Sequence, residues 1–326
     1  MALHAVDAVS DAFGVTREFL LPFEPRRWAK LAVVVLFVGG GLSLPSVQSN
    51  ASGGIDESVG TDLPSLAPDA MAVVGAVVAV IVLVGIAYSV VGAVMEFVLV
   101  ESLRTGDVSI RRHWRRRWRQ GLRLFGFRIA IGLPVLALVV GWIGLLIAPG
   151  IGGGGPIVPA ATLFFVGLPV VFLVGLLYAL VASFTTVFVV PIMIETDSGV
   201  LAAWRRLWGS VRAHPKQYLA YVVIGFVLTV AAGLLASVTV GIAGITLLIP
   251  FVLIGAVVYL TVSLSSAAGL VVLGGIGALF VVGLVVLWLF VRVPVVTYLR
   301  YYALLVLGDV DDSLDLVPDR RAAVRE

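Results

Sequence analysis

Long apolar stretches alternate with short arginine-rich ones along this chain. A helix crossing a membrane needs about 20 apolar residues at about 1.5 Å each, and several stretches reach that length. Residues 31–44 form a short run closing at Pro45, which spans only if Trp28 and Lys30 snorkel at its cytoplasmic end. Residues 70–100 are long enough to cross and project, and 124–148 make a span ending at Pro149 and a glycine loop over 150–155. Residues 158–194 exceed one straight crossing, so Pro169 is expected to kink them or to set apart an interfacial piece. The stretch 218–307 holds Arg292 and Arg300 as its charges. It predicts spans over 218–240 and about 270–290, with 241–265 as a re-entrant or interfacial insertion around Pro250. The expected fold is an all-α polytopic transmembrane bundle of about six spans.

Orientation follows from where the basic residues sit. They gather at 17–30, 104–128 and 205–216, and Lys and Arg near span ends stay on the cytoplasmic side. These segments and the N-terminus are therefore expected in the cytoplasm, with the acidic 46–69 segment and the 150–155 loop outside. An even number of crossings returns the tail with Asp309, Asp311, Asp312 and Asp315 to the cytoplasm, whereas a third true span within 218–307 would put it outside. Leu3, Val6, Val9, Phe13, Phe19 and Leu20 recur at helical spacing, which predicts a surface helix on the cytoplasmic face of the cell membrane. Asp7 and Asp11 stand where a signal peptide would carry basic residues.

Composition agrees with this reading. Of 326 residues 60% are hydrophobic and 13% charged, against about a quarter charged in soluble domains, and the mean hydropathy is +1.13. That balance excludes an ordinary soluble enzyme. The net charge of +3 sums basic helices and acidic loop and tail segments. With no cysteine, thiolate metal sites, disulfides and thiol catalysis are excluded.

An internal repeat organises the basic segments. Glu101-Ser102, Gly106, Val108 and Trp114-Arg115-Arg116-Arg117-Trp118 return in the same order as Glu195-Thr196, Gly199-Val200 and Trp204-Arg205-Arg206-Leu207-Trp208. A weaker copy, Arg26-Arg27-Trp28, precedes the first span. The predicted unit is a cytoplasmic amphipathic helix followed by an outgoing and a returning span. Three such two-span units divide the chain at 1–105, 106–197 and 198–308, and leave a polar tail, acidic then basic, at 309–326. Repeats of this kind keep a transporter in view.

Ile110, Trp114, Trp118 and Leu122 fall four residues apart on one helix face, and Arg111, Arg112, Arg115, Arg116, Arg117, Arg119 and Arg123 cover most of the rest. Such a helix places indoles among headgroups and guanidinium groups on lipid phosphates, each worth about 1 kcal/mol at ordinary salt. Trp204, Arg205, Arg206 and Trp208 take the same reading. Anionic membrane lipid is the expected partner, with a membrane or cytoplasmic protein as the other possibility. Phosphate headgroups explain this pattern better than nucleic acid does.

Polar groups in spans are the places to look for chemistry. Glu96, about 38 Å along the 70–100 helix, emerges near the cytoplasmic interface. Glu101 and Glu195 end the two matching spans, where pairing with Arg104 or a basic helix is expected. Arg292 and Arg300 lie on one face with Tyr298, Tyr301 and Tyr302 nearby, as in an interfacial belt. The three histidines, His4, His113 and His214, lack metal-site spacing, so no metal and no cofactor is expected. There is no G-x-S-x-G, no Walker motif and no catalytic residue to nominate. Thr229, Gly233, Ser237 and Gly241 form a small-residue stripe suited to close helix packing.

The N-terminal pattern Ala5-Val6-Asp7-Ala8-Val9-Ser10-Asp11-Ala12, Thr16-Arg17-Glu18-Phe19-Leu20, Pro22-Phe23 and Arg27-Trp28-Ala29-Lys30-Leu31, with Tyr298-Leu299-Arg300-Tyr301-Tyr302-Ala303-Leu304 before Gly308-Asp309, resembles uncharacterised multi-pass membrane proteins of halophilic archaea. The duplicated architecture loosely resembles the membrane domain that accompanies some glycerophosphodiester phosphodiesterases. Their soluble catalytic barrel has no counterpart in this sequence, so the resemblance implies no hydrolase activity. The expected function is that of a non-enzymatic integral membrane protein engaging anionic lipid or a partner through its Arg/Trp helices. A small-solute or lipid transporter or permease is the alternative.

Overall fold

A computed structural model describes residues 4–38, 68–151, 160–261 and 267–325. Among them every regular element is helical. In chain order these are α1 (His4–Leu20), α2 (Pro25–Phe37), α3 (Pro68–Thr105), α4 (Ile110–Ile151), α5 (Ala160–Phe184), a π-helical turn (Thr185–Val189), α6 (Val190–Thr196), α7 (Val200–Ala213), α8 (Pro215–Thr261), α9 (Ala267–Val310), a 3-10 turn (Asp312–Leu314) and α10 (Pro318–Arg325). Most of the acidic 46–69 segment and of the 150–155 glycine loop lies outside the described residues.

Among the described residues five helical stretches are long and apolar enough to cross a membrane: Ala72–Thr105, Ile110–Ile147, Thr162–Thr196, Pro215–Thr261 and Ala268–Val310. None of their most apolar windows is buried inside the protein. A soluble protein does not expose apolar surface on that scale, whereas lipid covers it at no cost. A multi-pass membrane protein is what this architecture fits.

Four local expectations change. The helix α8 runs unbroken through Pro250 to Thr261, so 241–261 continues a helix instead of folding back as an insertion. Pro169 likewise lies inside a continuous α5 and sets no separate piece apart, and a π-turn follows at Thr185–Val189. The basic segment is not a separate surface helix either, because Ile110–Ile151 is one helix of 42 residues. The small-residue stripe brings no neighbour close: Gly233 and Gly241 face open space.

The chain forms two compact units. The first comprises Met1–Leu36, Leu99–Ile110 and Arg206–Glu326. Within it α8 packs along α9, and α1 lies on α9, α8 and α10. The inward seam of α1 is Ala5, Ala8, Ala12, Val15 and Phe19, while Val6 and Phe13 point out. Of the predicted apolar face Phe19 and Leu20 are buried, whereas Val6 and Phe13 are exposed, and the small residues Ala5, Ala8 and Ala12 let the neighbouring helices approach closely. Tyr302 donates to the Ala5 carbonyl at 3.1 Å and Tyr298 to the Val9 carbonyl at 3.3 Å. Tyr301 donates to the Leu103 carbonyl at 3.1 Å. These tyrosines therefore tie α9 to α1 and α3 rather than forming an interfacial belt.

The tail of this unit is knotted by charge. Arg321 pairs with Asp309 at 3.0 Å and with Asp315 at 2.7 Å, and Arg325 reaches both Asp309 and Asp11 at 2.8 Å. Hydrogen bonds donated by the Arg325 guanidinium to the Asp309 carboxylate raise its pKa above its already high range. Asp309 and Asp315 are thus buried ion-pair partners, not members of a free acidic tail. The end of α3 is set by Gly106, whose φ of 76° only glycine adopts without strain.

The second unit comprises Phe37–Val98 and Arg111–Arg205. Its core gathers residues 93–98 of α3, one face of α4 and the segment from Thr185 to Val200. Gly121 makes the tightest approach: a Cβ there would stand 2.8 Å from the Val94 Cα, so α3 and α4 touch backbone to backbone. Farther along, Trp142 donates from Nε1 to the Leu163 carbonyl at 3.0 Å and holds α4 to α5.

Candidate functional site

The basic half of α4 presents its side chains in an order opposite to that of a soluble amphipathic helix. His113, Arg117, Gln120 and Leu124 are buried, and Ile110, Trp114, Trp118 and Leu122 are half-exposed or exposed. Their spacing of three and four residues makes this a single inward stripe. Because α4 carries charge on its inner face, that face must be satisfied by polar partners. Arg117 Nη1 donates to Gln120 Oε1 at 3.1 Å and lies 3.5 Å from Asp197 Oδ1. Gln120 Nε2 donates to the Met193 carbonyl at 3.1 Å and to Asp197 Oδ1 at 2.9 Å. Met193 lies in the last turn of α6, whose carbonyls have no helical partner, and Asp197 caps that helix in the left-handed region at φ 46°. Arg117 is thus buried beside the end of α6, unlike its exposed arginine neighbours on the same helix.

The other arginines remain outside. Arg111, Arg112, Arg115, Arg116, Arg119 and Arg123 are exposed, and so is Trp118, at 44%. In α7, Arg205, Arg206 and Arg212 are exposed with Trp208, at 50%. Trp114 and Trp204 are both half-buried, and Arg117 and Leu207 are both buried. Each outer indole carries a guanidinium, Arg119 at 5.7 Å from Trp118 and Arg212 at 5.3 Å from Trp208.

A second polar cluster sits where the packed end of α3 and α4 gives way to exposed apolar helix. Arg128 Nη2 donates to Thr186 Oγ1 at 2.8 Å and to Glu96 Oε1 at 3.5 Å. The Glu96 side chain is 2% exposed and that of Arg128 30%. Thr186 belongs to the π-turn, and its neighbour Thr185 accepts from Trp204 Nε1 at 3.1 Å. Both threonine hydroxyls donate to carbonyls one turn back, Val181 and Ala182. Irregular helical turns of this type recur at functional positions. Arg128 was hidden in the sequence by its place at the end of a long arginine-rich segment.

The chain belongs to DUF7544, a family of unknown function. The match to DUF7544 spans residues 3–317, so it takes in both units, the Arg/Trp helices and the Glu96–Arg128 pair. No curated protein and no solved structure matches the chain.

The remaining candidate residues of this DUF7544 chain are scattered. Glu101 is buried at the end of α3, and Glu195 is exposed at the end of α6. Arg292 stacks on Trp288 at 4.5 Å. Among the described residues no group of His, Cys, Asp and Glu could hold a metal ion.

Proposed function

We propose that this chain is a non-enzymatic integral membrane protein whose Arg/Trp helices engage anionic lipid at the cytoplasmic face. One observation carries the reading. Counted from the first tryptophan of each motif, α4 and α7 repeat the same pattern: half-buried Trp, two exposed arginines, one buried residue, exposed Trp. Each helix thus turns a paired guanidinium and indole outward while its inner position is filled by whatever packs, Arg117 in one and Leu207 in the other. Indoles suit the headgroup layer and arginines suit phosphate, and both types stand ready on the outer surface.

The test is binding to liposomes by purified protein in detergent below its critical concentration, or co-purification of lipid. Replacing Arg111, Arg112, Arg115, Arg116, Arg119 and Arg123 by Gln removes six charges worth about 1 kcal/mol each near an anionic surface. Binding to vesicles containing phosphatidylglycerol should fall by at least a hundredfold, with the wild-type affinity itself weakening steeply as salt rises. Unchanged affinity in a variant that keeps its fold would refute the reading.

A further inference from the structure

Arg128 differs from the outer arginines in depth, in partners and in what it leaves unpaired. Residues 129–149 carry no charge and, as helix, extend about 32 Å, close to the thickness of a bilayer's hydrocarbon core. With the apolar stretch filling the core, Arg128 lies at the level of the lipid phosphates. Its Nη2 is committed to Thr186 and Glu96. Nε and Nη1, with three hydrogens between them, have no acceptor among the described residues, and the side chain keeps an open path outward at 30% exposure. A guanidinium stays protonated, so these donors need acceptors whatever the pH.

We propose that Arg128 binds the phosphate of one membrane phospholipid, with Thr186 and Glu96 as positioning residues that hold the guanidinium by one nitrogen and leave the others facing the lipid. The inference rests on the membrane-embedded reading above but not on the outer arginine ladder. Its chemistry is different too. Glu96 already balances the charge of Arg128, so this site reads the phosphate itself, through directed hydrogen bonds, where the outer ladder reads net surface charge. The π-turn contributes by bringing the Thr186 hydroxyl, bonded to the Ala182 carbonyl, to the point where it can accept from Arg128.

Native mass spectrometry of the full chain, titrated with phosphatidylglycerol and in parallel with phosphate-free diacylglycerol, tests this. Wild type should retain one phosphatidylglycerol and no diacylglycerol. Arg128→Gln should weaken that retained lipid at least tenfold, and Arg128→Lys, which keeps the charge in case the Gln variant misfolds, several-fold. Glu96→Gln should tighten it, an effect that a merely structural carboxylate would not produce. The outer six-arginine variant should keep the lipid, so that loss there with retention in Arg128→Gln overturns this site and leaves the proposed function standing. Equal retention by wild type, Arg128→Gln and Arg128→Lys would overturn it outright, as would displacement by millimolar inorganic phosphate, which would make free phosphate the ligand.

Discussion

Arg117 and Leu207 occupy matching places in two helices that otherwise present the same residues outward, and the difference between them can be measured. Asp197, the charged partner of Arg117, has a side chain 87% exposed, so it can be solvated if Arg117 is lost. Replacing a buried ionic side chain by an apolar one of similar bulk is often neutral. Arg117→Leu is therefore expected to change stability by less than about 1 kcal/mol, read from thermal melting in detergent. Gln120→Leu is a harsher change, because it takes the Nε2 donor from the Met193 carbonyl in a buried setting; it should cost about 1–3 kcal/mol. If Arg117→Leu proves the more damaging of the two, the hydrogen-bond account of the α6 end is wrong. The arginine-rich run was legible in the sequence as a helix with an indole stripe, but the buried member of the run was not. Periodicity assigns the apolar stripe to the inside on the premise that water lies outside. Where lipid lies outside, an indole stripe can face out and a polar stripe in, as they do in α4.

Helix ends were less legible than helix identity, for a reason that lies in the surroundings. Pro169 and Pro250 leave α5 and α8 continuous, because a proline in a membrane helix removes one hydrogen bond that local adjustment and neighbouring side chains can replace. The irregular turn comes where Thr185 and Thr186 bond back to carbonyls of the preceding turn and compete with the helical ladder. Pro191, two residues after the turn, adds to it, because proline lacks an N–H for the carbonyl four residues back and its ring crowds that carbonyl. Glycine, too, has to be sorted by contact. At Gly121 a methyl group would meet Val94 side chain and backbone, and α3 would have to move; at Gly126, five residues along the same helix, nothing lies within 4 Å. Gly121→Ala should destabilise by about 1–3 kcal/mol through overpacking. The Gly126→Ala variant should be neutral or gain up to about 1 kcal/mol from helix propensity. Melting temperatures of the two variants that coincide would show that the α3–α4 approach contributes nothing to stability.

For the chain as a whole, the strongest constraint comes from its two termini meeting. Tyr298 and Tyr302 near the end of α9 bond to α1, and Arg325 of α10 joins Asp309 to Asp11. The start of α2 is there as well, with Trp28 stacked on Phe290 of α9 at 4.8 Å. Helices bound together in this way lie on one side of a membrane, and a chain with both termini on one side crosses it an even number of times. Five candidate spans are described, so parity asks for one more, and α2, a helix of 13 residues, stands before the first of them. An even number of crossings is the expected outcome. Absence of native cysteine makes the test direct. Single substitutions Ser10→Cys, Ala323→Cys and Ser49→Cys, labelled in intact and in permeabilised vesicles with a membrane-impermeant maleimide, should react in two classes. Ser10→Cys and Ala323→Cys should label together from one face, and Ser49→Cys from the other. Labelling of the two terminal cysteines from opposite faces would mean an odd number of crossings, and the contacts of α1 with α9 and α10 could then not exist in the membrane.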